Sequence, residues 1–287
     1  MKKRKNAGIR VIALLICVSL FCVSSYMVFS QLFVDYKQNQ TFGLLVEQVN
    51  QARNNADMLA QNREGSVETG DIQGEGVHKP EQIADEVGAP DAPSRMPMLS
   101  AYAPIYEQNE DFFGWIEIEE TEVNYPVMYT PEDPEFYLHR AFDRSEAYSG
   151  VPFLAADCFA GCGNLIVYGH NMKNGTQFAT IPKYKDKAFW EAHPTVRFDT
   201  LYETGIYDIV AAFYSQAYPD DAMGVFRYYQ YTDIREEDAF TEYVRQVKAA
   251  ALYETGVEPQ YGDQLLTLST CEYHKTDGRF VVVARKR

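Results

Sequence analysis

The sequence predicts a mainly β domain, a barrel or sandwich carrying a few helices, behind an N-terminal transmembrane helix and a stem. Three observations carry that expectation. No charged residue stands between Val11 and Val34. From Glu64 to Pro97 the chain turns rich in Gly, Glu, Asp and Pro and nearly free of aromatics. From about Leu99 onward, short β-branched and aromatic runs recur between turn residues, with few helical patterns among them.

Composition narrows the function. The 287 residues hold 26 Lys and Arg against 41 Asp and Glu, a net charge of −15, which argues against nucleic acid as a partner. Five cysteines are too few for a disulfide scaffold. The charge is split: Lys2, Lys3, Arg4, Lys5 and Arg10 precede the apolar run, and the remainder holds 21 basic against 41 acidic residues. Roughly 20 helical residues cross a bilayer, so the stretch from Val11 to Ser30 is long enough, and the basic cluster before it keeps residues 1–10 cytoplasmic. A cleaved signal peptide, ending near Val23-Ser24-Ser25, is the rival reading, but Tyr26-Met27-Val28-Phe29 prolongs the apolar run beyond that site. The expectation is a single-pass signal-anchor over residues 11–34, with the bilayer as a partner and the rest of the chain outside the cell.

Residues 35–98 read as stem and linker. Phe42, Leu45, Val49, Ala52, Ala56 and Leu59 form one helical stripe, suited to a short coiled-coil seam or to a helix lying back on the domain. The acidic stretch that follows reads as a flexible linker with a mean reach of roughly 30 Å, a tether for a globular domain. That domain, residues 99–287, opens with a short helix over Leu99–Asn109. Strands are expected over Gly114–Ile118, Val123–Met128, Val151–Ala155, Asn164–Tyr168, Val196–Asp199, Ile206–Ala217, Gln264–Ser269 and Phe280–Arg285. Thr176–Tyr184 and Ala188–His193 read as helical pieces. Arg235–Tyr253 is the clearest helix, with Phe240, Tyr243, Val244, Val247 and Ala251 on one face.

Cys271 follows the apolar run Leu265–Thr270, where a strand end fixes a nucleophile and a loop exposes it. A thiol nucleophile needs a proton partner and a group to stabilise an oxyanion. His170 also ends a strand, and Arg279 opens the last one, so a hairpin brings Arg279 beside Cys271. Taken singly, a cysteine at a strand end is more often core filler and a loop histidine more often solvated.

The ordered set resembles a known family. Thr267-Leu268-Ser269-Thr270-Cys271, followed by Arg279-Phe280-Val281-Val282-Val283, looks like the signature of sortases, the cysteine transpeptidases of Gram-positive surfaces. Tyr168-Gly169-His170-Asn171-Met172 resembles their histidine motif in its class B form. Gly114-Trp115-Ile116 and Asn124-Tyr125-Pro126-Val127 are similar to the opening strands of that class, and Arg235–Tyr253 lies where class B carries an extra helix between the sixth and seventh strands. The resemblance covers roughly Leu99–Arg287. It implies an eight-stranded sortase barrel with Cys271 as nucleophile, His170 as general acid/base and Arg279 as oxyanion and substrate clamp. It also implies Ser269 and Thr270 near the backbone of a Pro- and Thr-containing sorting signal at the C-terminus of a secreted protein. The acceptor would be an amine of the cell wall or of a pilin subunit, and no metal or other cofactor is implied. A hydrolytic cysteine peptidase, and a surface binding protein on the same barrel, are the alternative functions.

Several residues stand outside that pattern. His78 lies in the linker, His139 and His193 read as structural, and His274 rivals His170 by its closeness to Cys271. Cys158 and Cys162, just before the His170 strand, suit either a disulfide across a short loop or two unpaired thiols, and Cys17 and Cys22 read as fillers in the anchor. Asp133-Pro134 is similar to the lid motif of class C sortases but follows the second strand, and so reads as a turn opening a helix; Asp277-Gly278 likewise reads as a turn.

Overall fold

The computed structural model describes residues 2–64, 97–159, 161–271 and 277–287; side chains are described from Leu14 onward, those of 56, 57 and 59–64 excepted. His78, His274 and the acidic linker expected after Glu64 lie outside the described residues.

Eight strands close into one barrel: β1 (Phe112–Glu117), β2 (Asn124–Met128), β3 (Phe153–Leu154), β4 (Asn164–Gly169), β5 (Thr195–Thr200), β6 (Ile206–Gln216), β7 (Leu265–Cys271) and β8 (Gly278–Lys286). They follow one another around the barrel as β1-β2-β3-β4-β7-β8-β6-β5. The β2–β3 and β4–β7 pairs are parallel and the other neighbours antiparallel. The helices are α1 (Lys2–Glu64), α2 (Ala103–Gln108), α3 (Lys187–Ala192) and α4 (Glu237–Ala250), the last lying between β6 and β7. The segment expected as a helix over Thr176–Tyr184 is a 3₁₀ helix, Phe178–Lys185, with Pro182 inside it. Asp133-Pro134 leads into a 3₁₀ turn, Phe136–His139.

Alternation along β8 explains its two buried faces. Phe280, Val282 and Ala284 enter the barrel interior with Leu266 and Leu268 of β7. Val281 and Val283 point the other way, beneath α4, with Phe240, Tyr243 and Val247. The polar residues of β7 that share this outer face are satisfied there. Thr267 Oγ1 lies 2.6 Å from the Tyr243 hydroxyl and donates to Asn164 Oδ1 at 2.8 Å, and Ser269 Oγ lies 2.7 Å from the Tyr228 hydroxyl. Buried hydroxyls paired in this way avoid the desolvation cost of an orphaned polar group. β7 is therefore held from both sides.

α1 is one unbroken helix. Its stretch from Leu14 to Phe33 exposes apolar side chains, and it is long and apolar enough to cross a membrane. The stem stripe then turns onto the barrel: Phe42, Leu45 and Val49 are buried in the main core, and the Phe42 ring meets Tyr125 edge-on at 5.2 Å. Of the two packings expected for the stem, the structure shows the helix lying back on the domain. Arg53 closes the contact, donating to Glu117 at 2.8 Å, to the Tyr102 hydroxyl at 2.7 Å and to Asp199 at 3.0 Å.

Candidate active site

Strand direction assembles the site. β4 and β7 run parallel, so both end at the same rim of the barrel. Gly169 pairs with Thr270, and His170 and Cys271 each stand one residue further along. β8 returns antiparallel beside β7 and sets Arg279 directly opposite Cys271. Side chains opposed in this way have Cβ atoms about 4.5–5.5 Å apart. His170, Cys271 and Arg279, distant in sequence, line one groove of about 520 Å³, walled by Phe153, Tyr168, Tyr228 and Tyr229.

Each member has a definite setting. Cys271 is half-buried, and its carbonyl accepts a hydrogen bond from Asn171 Nδ2 at 3.0 Å. Arg279 turns one guanidinium nitrogen back to the Gly278 carbonyl at 3.0 Å. His170 Nε2 lies 2.8 Å from the Leu138 carbonyl. A carbonyl only accepts, so Nε2 carries a hydrogen, and in the neutral ring the lone pair is left on Nδ1. Burial holds the His170 imidazole below its ordinary range; the Leu138 hydrogen bond pulls the other way, and His139 pushes it down again. The ring is thus neutral, and a proton acceptor, near pH 7.

Ser269 and Thr270 also line the groove, but their hydroxyls are engaged within the protein. Ser269 meets Tyr228, and Thr270 Oγ1 donates to the Gly169 carbonyl at 2.7 Å. They tie β7 to its neighbours, and Thr270 links the cysteine strand to the histidine strand. His139 reads as structural from sequence, yet its ring stacks on His170 at 5.3 Å, with Tyr148 parallel to His170 at 6.4 Å. His193 lies elsewhere, against Phe189 and the Glu119 carbonyl.

Leu138, Tyr228 and Tyr229 belong to the site without standing out in the sequence. Leu138 acts through its backbone, which no side-chain pattern reports. The two tyrosines sit in a 3₁₀ turn (Tyr228–Gln230) that carries no periodic signal. Asn171 does carry one: it directly follows His170. Cys158 and Cys162 are unpaired thiols, both buried, at 3.8 and 3.3 Å from the Asn164 carbonyl. Donation to Cys162, with burial added, pushes the Cys158 thiol up, and the same contact holds Cys162 down.

A thiol, a neutral imidazole and a permanent cation in one aromatic-walled groove make a set suited to acyl transfer. The sortase domain family model matches residues 116–287. Sortase B of Listeria monocytogenes is 34% identical over 185 residues, which span 61% of this chain and 69% of that protein. The chain belongs to the sortase B family. Sortase B of Staphylococcus aureus is 30% identical over 184 residues, spanning 62% of this chain and 70% of that one. Solved sortase B structures share the barrel. A substrate complex of the Staphylococcus aureus enzyme is similar with a TM-score of 0.57 at 25% identity, covering 67% of this chain and 86% of that one. The Clostridium perfringens structure gives 0.56 at 27%, covering 64% and 98%. This sortase B homologue is accordingly a cysteine transpeptidase on an eight-stranded barrel.

Proposed function

We propose that this sortase cleaves a C-terminal sorting signal after a threonine and transfers the released protein to an amine. Cys271 Sγ attacks the threonine carbonyl carbon while its proton passes to His170 Nδ1. The oxyanion that forms is met by the Arg279 guanidinium, a planar cationic fork of N–H donors. Collapse breaks the peptide bond, and the departing amine takes the proton from His170, leaving a thioester on Cys271. An incoming amine repeats the sequence in reverse and frees the thiol. The single observation carrying this reading is the side-by-side ending of β4 and β7, with Arg279 paired to Cys271 from β8. Ser269 and Thr270 serve by holding that wall of the groove in register. A solved sortase B complexed with triglycine supports a peptide amine from the cell wall as acceptor, a lysine of a pilin subunit being the alternative.

Under the same reading, residues 1–10 are a cytoplasmic tail and 11–34 a membrane anchor, with 35–98 leading to a catalytic domain over 99–287 outside the cell. The test is intact-protein mass spectrometry with a sorting peptide. Wild type should show an acyl adduct that an oligoglycine amine converts to a ligated product, and Cys271→Ala should show neither. An adduct on Cys271→Ala would exclude the thiol as nucleophile. A wild-type adduct resolved only by water, with amine present, would make the enzyme a hydrolase.

A further inference from the structure

The seat of the His170 ring is built by residues 137–151, and that segment is gripped by the stem helix. Leu138 supplies the carbonyl that receives Nε2. Behind it runs Gly150, with φ +56°, where an added Cβ would fall 2.4 Å from the Leu138 oxygen and 2.5 Å from that of Tyr137. Only glycine tolerates both the left-handed backbone and the approach. The segment is laced to itself, Val151 N donating to the Tyr137 carbonyl at 3.1 Å and Ala147 N to the His139 carbonyl at 3.0 Å. It also carries His139 and Tyr148, the two rings stacked on His170.

The Gly150 carbonyl receives two side-chain amides, Gln177 Nε2 at 2.9 Å and, from α1, Gln38 Nε2 at 2.6 Å. Gln38 Oε1 in turn accepts from Ser149 Oγ at 2.8 Å. Gln38 and Ser149 are both buried. A glutamine with both ends of its amide engaged, on an otherwise apolar docking stripe, does more than fill space: apolar burial is indifferent to register, whereas these hydrogen bonds fix it.

We propose that Gln38 is a positioning residue for His170: from the stem helix it pins Ser149 and Gly150 against the Leu138 carbonyl that orients the imidazole. The inference rests on the acid/base role assigned to His170 above. Among the described residues, the titratable or charged groups around the ring and its groove are His139 and Tyr148 on this segment, Glu135 and Asp157 at the rim, Tyr168 of β4, Tyr228 and Tyr229 on the facing turn, Cys271 of β7 and Arg279 of β8. The substitutions below leave all of them in place.

The experiment compares the full chain in lipid nanodiscs with Gln38→Leu, Ser149→Ala and Lys37→Ala. Lys37 is on the same turn, and its ammonium makes an exposed pair with Asp143. Peptide cleavage, thermal melting and the His170 ring titration by NMR are measured for each. Gln38→Leu should lower kcat about tenfold or more with KM within about twofold, the pattern of a misplaced reacting group and not of weakened substrate binding. The His170 titration should move down, because the Leu138 hydrogen bond that Gln38 braces is the influence that raises it. Ser149→Ala should shift both readouts the same way by less, and Lys37→Ala should move neither. A folded Gln38→Leu that melts earlier but keeps the wild-type ring titration and kcat makes Gln38 a docking residue only and overturns the proposal. If Gln38→Leu does not fold, Ser149→Ala decides on the same two readouts. A wild type that forms no thioester condemns the catalytic reading instead, and the ring titration still judges Gln38.

Discussion

Arg279 sits opposite the cysteine as a planar, permanently charged fork, and its geometry should matter as much as its charge. Arg279→Lys keeps the cation but loses the fork. It should fold normally and lower kcat about 10²-fold, the usual cost of one lost oxyanion donor, with a smaller change in KM. Steady-state cleavage of a sorting peptide measures this, and a lysine variant within about twofold of wild type in kcat would reduce Arg279 to a point charge. At this scale the sequence is informative where a side chain lines the groove. Cys271 and Arg279 bracket a hairpin whose two apolar strands announce themselves, and His170 ends a third. The Leu138 carbonyl, and the rings of His139 and Tyr148 over His170, become neighbours only once β3, into which their segment leads, is laid beside β4, and nothing local encodes that pairing.

Among the elements, the strands and α4 are legible from apolar spacing because each buries a regular face. β3 is the weakest of them, two residues where the apolar run predicts a longer strand, since it follows Gly150 and Pro152 and pairs with β2 at Met128 and Phe153 only. The stem stripe is legible too, but a periodic face does not name its partner. What names it is Asp199, fully buried on β5 and accepting from Arg53 of α1, Arg197, the Tyr102 hydroxyl and the Gly205 amide. Asp199→Ala leaves Arg53, most of whose side chain is buried, with Glu117 as its one carboxylate, and strips the Tyr102 hydroxyl and the Gly205 amide of their acceptor. Breaking such a buried pair typically costs about 3–5 kcal/mol, and urea denaturation should show a loss of that size. A loss below about 1 kcal/mol would mean that the network is solvent-screened in practice.

For the molecule as a whole, the catalytic body is larger than its barrel. Phe42, Leu45 and Val49 contribute roughly 5–9 kcal/mol of apolar burial as an upper estimate, so a chain beginning at residue 97 should melt well below one beginning at residue 35. Calorimetry on the two chains measures it, and equal melting temperatures would show that the stem is a passenger. The docked stem also answers a question of posture. The helix grips the barrel at Gln38, four residues and about 6 Å of helical rise beyond Val34. The chain is thus already fastened to the barrel before residues 65–96 begin, and it is fastened again at Leu99, whose amide donates to the Leu201 carbonyl. Were residues 11–34 held in lipid, as proposed above, a stiff mast rather than a leash would fix how high above the bilayer the thiol rides and which way it faces.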